Sequence, residues 1–335
     1  MPNIMIVGEF PGKEEAQNAR PQDDASYQIL NQMFRVAGIN RDECYFTNVF
    51  QQRPPQGRLE NFGGPKVEAV QGWPQLSSKL WIHRNFQPEI DRLLHEVDTI
   101  KPNVILALGV TALWALCKQT GIKKNRGTPM RMFDGECKVL PTYHPSIIFR
   151  QWKLRPIVIK DIAKLRAESL FPEVRRPVRY IHMSPTIPDL YSFYERYMKD
   201  AGDISTDIET KMGTVTEIGF APTHDRALVV PFYSRDTPGG NYWATAEEEF
   251  AAWQFVKMVC EKHPMVGQNF CYDLQYLWMK NRIRTMTVAD DTMILHHALF
   301  PEMEKSLGFL GSIYTNEPSW KFMRTDHDTL KAEDD

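Results

Sequence analysis

Three short segments of the chain carry residues whose types suit work on a planar base and its leaving group. Gly8-Glu9-Phe10-Pro11-Gly12 follows an apolar run, so two glycines and a proline shape a tight loop that presents a carboxylate. Thr47-Asn48 closes a second apolar run, where the Asn amide offers both a donor and an acceptor to a base edge. Thr142-Tyr143-His144-Pro145-Ser146 puts an imidazole at the end of a third, placed to donate to a developing anion. Taken singly, each also has a plain structural reading as a solvated turn acid, a satisfied loop amide or a packed histidine.

A second set of residues is acidic. In Ser205-Thr206-Asp207-Ile208-Glu209-Thr210 the two carboxylates are two residues apart, and a strand's period of two points both the same way. Like charges that close repel unless a cation bridges them, and hard oxygen ligands suit Mg²⁺ or Mn²⁺. Val266-Gly267-Gln268-Asn269-Phe270-Cys271-Tyr272-Asp273 supplies a third acid on one helical stripe with Leu277, with Asn269 as the expected helix cap. A buried acid at Asp273 needs a partner, and a metal is one.

The elements that must position these groups follow from hydrophobic periodicity. Ile4 to Val7, Cys44 to Phe50, Val104 to Leu108 and Lys138 to Thr142 read as strands. Tyr27 to Val36, Phe86 to Ile100 and Val110 to Thr120 read as helices between them. That β/α rhythm predicts a parallel sheet with helices on both faces and ligands beyond the strands' carboxyl ends. Phe171-Pro-Glu-Val-Arg-Arg-Pro-Val178 interrupts it and marks a domain boundary. A new series begins beyond it: strands at Val178–His182, Ile204–Ile208, Val215–Phe220 and Ala227–Phe232, and helices at Ile187–Lys199 and Thr245–Glu261. Thr245 and Glu248 have capping-box spacing. Arg175, Arg176 and Arg179 with Lys160 and Lys164 either track phosphates or are solvated linker charges, and Thr325–Asp335 reads as a frayed end.

With 335 residues, 42% of them hydrophobic and 24% charged, the chain has material for two cores, which rules out wholesale disorder. Its net charge of -2 creates no global field, so basic residues that meet nucleic acid must be arranged locally. Five scattered cysteines without a C-x-x-C pair fit a reduced cytoplasmic setting better than a disulfide framework. No apolar run approaches the ~20 residues of a membrane span.

Together the first three segments resemble family 4 of the uracil-DNA glycosylase superfamily. The resemblance runs through Gly8–Gly12, Thr47-Asn48-Val49 with Arg53-Pro54-Pro55, Lys101–Gly109 and Thr142–Pro145. It implies a three-layer α/β/α domain over residues 1–172. By carry-over, Glu9 positions the attacking water, Asn48 reads the flipped base, His144 stabilises the departing uracil anion, and Gly8, Phe10, Pro11, Gly12, Thr47, Pro145 and Ser146 contact substrate. The physics suits base flipping, in which unstacking is offset by reading and stacking contacts. Two departures stand out. Gln52 occupies a family cysteine position, so no iron–sulphur cluster of the family's kind is expected. The family's stacking Phe has only Arg20-Pro21-Gln22 as its nearest match, and Phe10 either replaces that ring or fills the pocket.

The second half resembles the 3′–5′ exonuclease domain of family A DNA polymerases, of the Asp-Glu-Asp-Asp superfamily and ribonuclease-H-like fold. Asp207–Thr210, Gly267–Asp273, and Asp291-Thr292 with Leu307–Leu310 carry the likeness. The resemblance implies a linker at 173–177 and a domain over 178–335. In it Asp207, Glu209 and Asp273 ligate two Mg²⁺ or Mn²⁺ ions, and Thr210 and Asn269 contact substrate. The last motif is missing: no Tyr-x-x-x-Asp follows Tyr314, and neither Asp328 nor Asp334 and Asp335 has its setting. The expectation is a DNA-processing protein of phage replication or repair, acting in the host cytoplasm on single strands or 3′ ends. Either the chain is a fragment or a second, polymerase polypeptide supplies the missing motif, and a non-catalytic DNA-binding accessory is the alternative.

Overall fold

Residues 2–13, 24–285 and 287–317 are described by the computed structural model. Their contacts divide the chain into two units, one running to Arg176 and resuming at Gly308, the other spanning Pro177–Leu307. The expectations at Arg20–Gln22, Thr325–Asp335, Asp328, Asp334 and Asp335 fall outside the described residues.

The first unit is built on β1 (Ile4–Gly8), which is buried along its whole length. Ile4 and Ile6 enter one apolar core and Met5 and Val7 another. A strand covered on both faces must be apolar without alternation, and β1 is. Strand β2 (Cys44–Asn48) pairs parallel with β1 on one side. After a two-stranded ribbon of β3 (Gly63–Gly64) and β4 (Trp81–Ile82), β5 (Val104–Leu108) pairs parallel on the other side of β1. Strand β6 (Met130–Arg131) runs antiparallel at the edge beside β7 (Lys138–Thr142), which lies parallel to β5, giving the order β2-β1-β5-β7-β6. The winding reverses between β1 and β5, and such a sheet takes ligands in the crevice at that reversal.

Helices on both faces complete the layers. Helix α1 (Ala25–Ala37) is opened by the Asp24 side chain and closed by Gly38 at φ 70°. Helices α2 (Gln87–Ile100) and α3 (Gly109–Cys117) contribute to the Met5/Val7 core, while α4 (Arg155–Glu168) joins α1 on the Ile4/Ile6 face. Helix α3 stops at Cys117, short of the expected Thr120, because Lys118 turns into the left-handed region at φ 53°.

In the second unit, β8 (Tyr180–His182) lies at one edge. Helix α5 (Ile187–Phe193) continues as a π-helical turn over Tyr194–Met198. The strands β9 (Ile204–Lys211), β10 (Thr214–Thr223) and β11 (Arg226–Pro231) form an antiparallel meander. Helix α6 (Ala246–Lys262) is capped by Thr245, which accepts from the Glu248 amide at 3.2 Å; the reciprocal bond goes to the Ala244 amide rather than to that of Thr245. Beyond β12 (Met265–Gly267) and α7 (Cys271–Asn281), β13 (Val288–Asp291) and α8 (Thr292–Leu299) follow. Strand β12 is parallel to β9 and to β13, so the order is β13-β12-β9-β10-β11-β8. Ile204, Ile208, Ile218, Phe220, Leu228 and Val230 share one core with Leu190, Phe193 and Phe255.

One expectation needs correction. The chain from Gly308 does not belong to the second unit: α9 (Leu307–Tyr314), from Gly308 onward, and residues 315–317 group with the first. The cause is a buried polar network. Arg126, 1% exposed, pairs with Asp161, 0% exposed, and donates to Ser312 Oγ at 2.8 Å. Thr142 donates to Asp161 Oδ2 at 2.7 Å. Lys164 Nζ donates to the carbonyls of Gly127, Ser312 and Thr315 at 2.6, 2.7 and 2.5 Å, so it is not a phosphate-tracking residue. Burial pushes its pKa down to about 8, with Asp161 acting against that shift. Lys160 sits over the Tyr314 ring at 5.3 Å. Buried charges are tolerated only when paired and hydrogen-bonded, which ties the segment after residue 307 to this network. Arg126→Ala is expected to lower unfolding free energy by about 3–5 kcal/mol by stranding Asp161. Ser312→Ala should cost only about 1–3 kcal/mol. Denaturant unfolding followed by tryptophan fluorescence checks both values.

Candidate functional site

The first unit's parallel strands all end at one edge, and the segments singled out by sequence converge there. Gly8 is opposite Asn48 in the β1–β2 register. The ladder continues beyond the strand ends, with Val49 N donating to Gly8 O and Phe50 N to Glu9 O, both at 3.0 Å. A Cβ at Gly8 would lie 2.3 Å from Asn48 Oδ1 and 2.9 Å from Tyr27 Oη, so the amide can occupy this place only beside glycine. Tyr27 donates to that same Oδ1 at 3.4 Å.

Arg92, on α2, clamps the end of β2. It donates to the carbonyls of Asn48 and Val49 at 2.7 and 3.0 Å, reaches Thr47 Oγ1 at 3.4 Å, and is flanked by Glu89 and Glu96. Thr47 is thereby a buried anchor of the strand end. Arg53 plays the corresponding part for the first loop: it donates to Pro11 O at 2.9 Å and lies over the Phe10 ring at 5.5 Å. Phe10 itself packs against the core on the Met5/Val7 face. Gly12 is buried, and a Cβ there would meet Asp24 Oδ2 at 2.4 Å.

Glu9 is half-buried, and its Oε2 accepts a hydrogen bond from Thr111 Oγ1. Burial raises its pKa, the Thr111 bond lowers it, and Glu60 raises it further. His144 follows β7 and faces Gly109, whose φ of 86° and missing Cβ leave room for it; an added Cβ would stand 3.1 Å from His144 Cβ. Its Nδ1 accepts from Ser146 N at 3.3 Å and lies 2.8 Å from Ser146 Oγ. An Nδ1 that accepts a backbone N–H carries no proton, so the ring is neutral with its hydrogen on Nε2. Burial lowers the His144 pKa from 6.5 to about 4, with Asp24 acting against that shift. Pro145 is buried at the start of the short 3₁₀ turn that Ser146 continues.

Sequence reasoning missed Thr111, Arg92 and Tyr27, and also a surface segment. Between Glu136 and Asp161 the chain has no carboxylate but carries five Lys or Arg. Just after His144 this stretch exposes Phe149 (58%) and Trp152 (65%) beside Arg150 and Lys153. That acid-free run was the available signal.

In the second unit, Asp207 and Glu209 lie on the solvent side of β9, while Asp273 is 3% exposed. Asp273 Oδ1 accepts from Ile208 N at 2.9 Å. Burial, then nearby Asp207 and Asp291, push its pKa up to about 6 against backbone hydrogen bonds. Thr210 pairs with Tyr272 Oη at 2.8 Å. Asn269 does not cap α7. It adopts φ 54°, and Asp291 holds this turn, accepting from the amides of Asn269, Phe270 and Met293 at 3.1, 2.8 and 2.9 Å. Among the described residues no group of three or more His, Cys, Asp or Glu is arranged to hold a metal ion. No helix among them is long and apolar enough to cross a membrane.

The first unit therefore defines a doubly wound α/β protein whose acid, amide and neutral imidazole lie along the sheet's carboxyl edge. Residues 1–166 match the model of the uracil DNA glycosylase superfamily. The chain is 36% identical over 168 residues to a type-4 uracil-DNA glycosylase of Thermotoga maritima, covering 49% of this chain and 76% of that protein. It is 30% identical over 178 residues to a type-4 uracil-DNA glycosylase of Sulfurisphaera tokodaii, covering 51% and 71%. Through this half, the chain belongs to the uracil DNA glycosylase superfamily. A longer match, 21% identical over 325 residues, is to a DNA polymerase of Bacillus phage SP01, covering 88% of this chain and 32% of the polymerase.

The cysteines of residues 1–176 do not by themselves make up the ligand set of a four-cysteine iron–sulphur cluster. Such a cluster takes four thiolates, whereas residues 1–176 contain only Cys44, Cys117 and Cys137. Burial pushes these thiols up to about 12, about 12 and about 11, which favours the protonated form.

His144 has a measurable consequence. Between pH 4 and 6.5 the unfolded chain binds a proton that the folded chain refuses, so stability rises with pH across that window. The contribution is fully present above pH 6.5 and is lost as pH falls towards 4, amounting to about 3 kcal/mol. His144→Gln should flatten this part of the profile, as read from unfolding midpoints of the two proteins at matched pH.

Proposed function

We propose that the first unit excises uracil from DNA. The observation that carries the reading is the convergence of Glu9, Asn48 and a neutral His144 on one sheet edge. In this reading a flipped uracil meets the Asn48 amide, which has a donor for O4 and an acceptor for N3–H. Glu9 orients a water whose oxygen bonds to C1′ as the N-glycosidic bond breaks; the electron pair leaves on uracil, and the water's proton passes to the carboxylate or to solvent. His144 Nε2–H donates to the uracil anion; because burial disfavours the imidazolium, the ring is neutral and gives a hydrogen bond rather than a proton. Phe149 and Trp152, with Arg150 and Lys153, offer aromatic and cationic contacts to the strand that surrenders the base.

For the second unit, the order β11-β10-β9-β12-β13, with β10 alone antiparallel to its central neighbours, supports a ribonuclease-H-like, polymerase-type exonuclease fold. The likeness to a longer phage polymerase supports the same assignment. Asp207, Glu209 and Asp273 are the carboxylates that would face Mg²⁺ or Mn²⁺ there. Because the last acidic motif of such a domain has no match in the residues after Tyr314, we assign exonuclease action to a complex with a polymerase polypeptide that completes the site.

The test is a 5′-labelled single strand with one internal uracil, incubated with the chain and divalent metal. Cleavage at uracil that requires later alkali is the expected product, reduced about 10²-fold or more in Glu9→Gln. The chain alone should give no ladder of 3′-shortened strands. Intact strands under every condition would overturn the excision reading, and a ladder lost in Asp207→Ala would overturn the need for a partner.

A further inference from the structure

We infer that Thr111 is a positioning residue for Glu9, holding one carboxylate oxygen so that the other faces the attacking water. The inference rests on the excision reading above.

Thr111 is 0% exposed and stands in the first turn of α3, two residues after the reversed-φ Gly109 that makes room for His144. Strands β1 and β5 are paired from Ile4–Val104 to Val7–Ala107, which brings the residues after each strand side by side at the winding reversal. A buried threonine in a helix commonly turns its hydroxyl back to a carbonyl of the preceding turn. Here Oγ1 donates to Glu9 Oε2 instead. An ionised carboxylate only accepts hydrogen bonds, so this donor favours the ionised form, the form that can orient or deprotonate water. The nearby N-terminus of α3 acts in the same sense.

Among the described residues, the other charged groups around Glu9 do not substitute for it. Glu60 opposes ionisation, His144 is neutral, and Arg53 is directed to Pro11 O and the Phe10 ring. Asp24 lies towards His144. Burial raises the Glu9 pKa and the Thr111 hydroxyl restrains that rise. Losing the hydroxyl must therefore move the acid limb of activity to higher pH, since less Glu9 is ionised at a given pH.

The experiment is single-turnover uracil excision across pH by the full chain and by Thr111→Val, which keeps shape but lacks the hydroxyl, and Thr111→Ser, which keeps the hydroxyl. Thr111→Val should lose about tenfold or more in the rate at saturating enzyme. Its acid limb should shift upward and its DNA affinity stay within about twofold of the parent, with most of the loss restored in Thr111→Ser. In a Glu9→Gln background, Thr111→Val should have little further effect. Unchanged rate and acid limb in Thr111→Val would overturn the inference, as would a Thr111→Ser protein as impaired as Thr111→Val. If Thr111→Val does not fold, parental activity and an unshifted limb in Thr111→Ser support the inference, whereas an impaired Thr111→Ser overturns it. Excision in the parent with no Thr111 effect sinks this inference alone; no excision in the parent sinks the excision reading and the inference with it.

Discussion

The first unit depends on the parallel register of β1 with its two neighbours. A parallel sheet ends all its strands on the same side, and a reversal of winding such as that between β1 and β5 is where a sheet of this kind takes its ligands. The register β1–β2 sets Gly8 beside Asn48, and the register β1–β5 brings Glu9 to Thr111. A shift of one residue in either pairing would turn these groups to the wrong face. The burial of β1 on both sides prevents such a shift, because Ile4 and Ile6 serve one core and Met5 and Val7 the other. Packing in the centre of the sheet is thus what fixes chemistry at its edge.

Burial then tunes the groups so positioned, and in opposite directions. It favours the uncharged form of both, which raises the Glu9 pKa and lowers that of His144. For the histidine that leaves a neutral ring with an N–H to donate, which is the form the proposed excision calls for. For the carboxylate it is a cost, and the Thr111 hydroxyl offsets part of it. The same rule explains the network around Arg126 and Asp161, where buried ions persist because each has a partner, and where Ser312 recruits the end of the described chain into the first unit.

Much of this was legible in the sequence because it rests on local pattern. The apolar runs at Ile4, Val104 and Lys138 mark strands that the structure contains, and the segments carrying Glu9, Asn48 and His144 follow strand ends as their turn residues suggested. What sequence could not reveal depends on long-range geometry. Thr111 and Arg92 sit in ordinary helical stretches and act only through contacts 102 and 44 residues away in the chain. Asn269 resembles a helix cap by spacing, yet Asp291, distant in sequence, takes the orphan amides. The ribbon β3–β4 was invisible because two-residue strands have no periodicity to read. The return of the chain after Leu307 was hidden because helix α9 has the apolar spacing of a core helix in either unit.

The central claim is that Glu9, Asn48 and His144 form a pocket for uracil at the first sheet's edge. Titration of free uracil into uniformly ¹⁵N-labelled protein tests it directly by NMR. The account predicts saturable shifts of the Asn48 side-chain amide and of the His144 Nε2–H resonance, with Nδ1 remaining unprotonated. Shifts confined to the second unit, or none at Asn48 and His144 at saturating uracil, would contradict it.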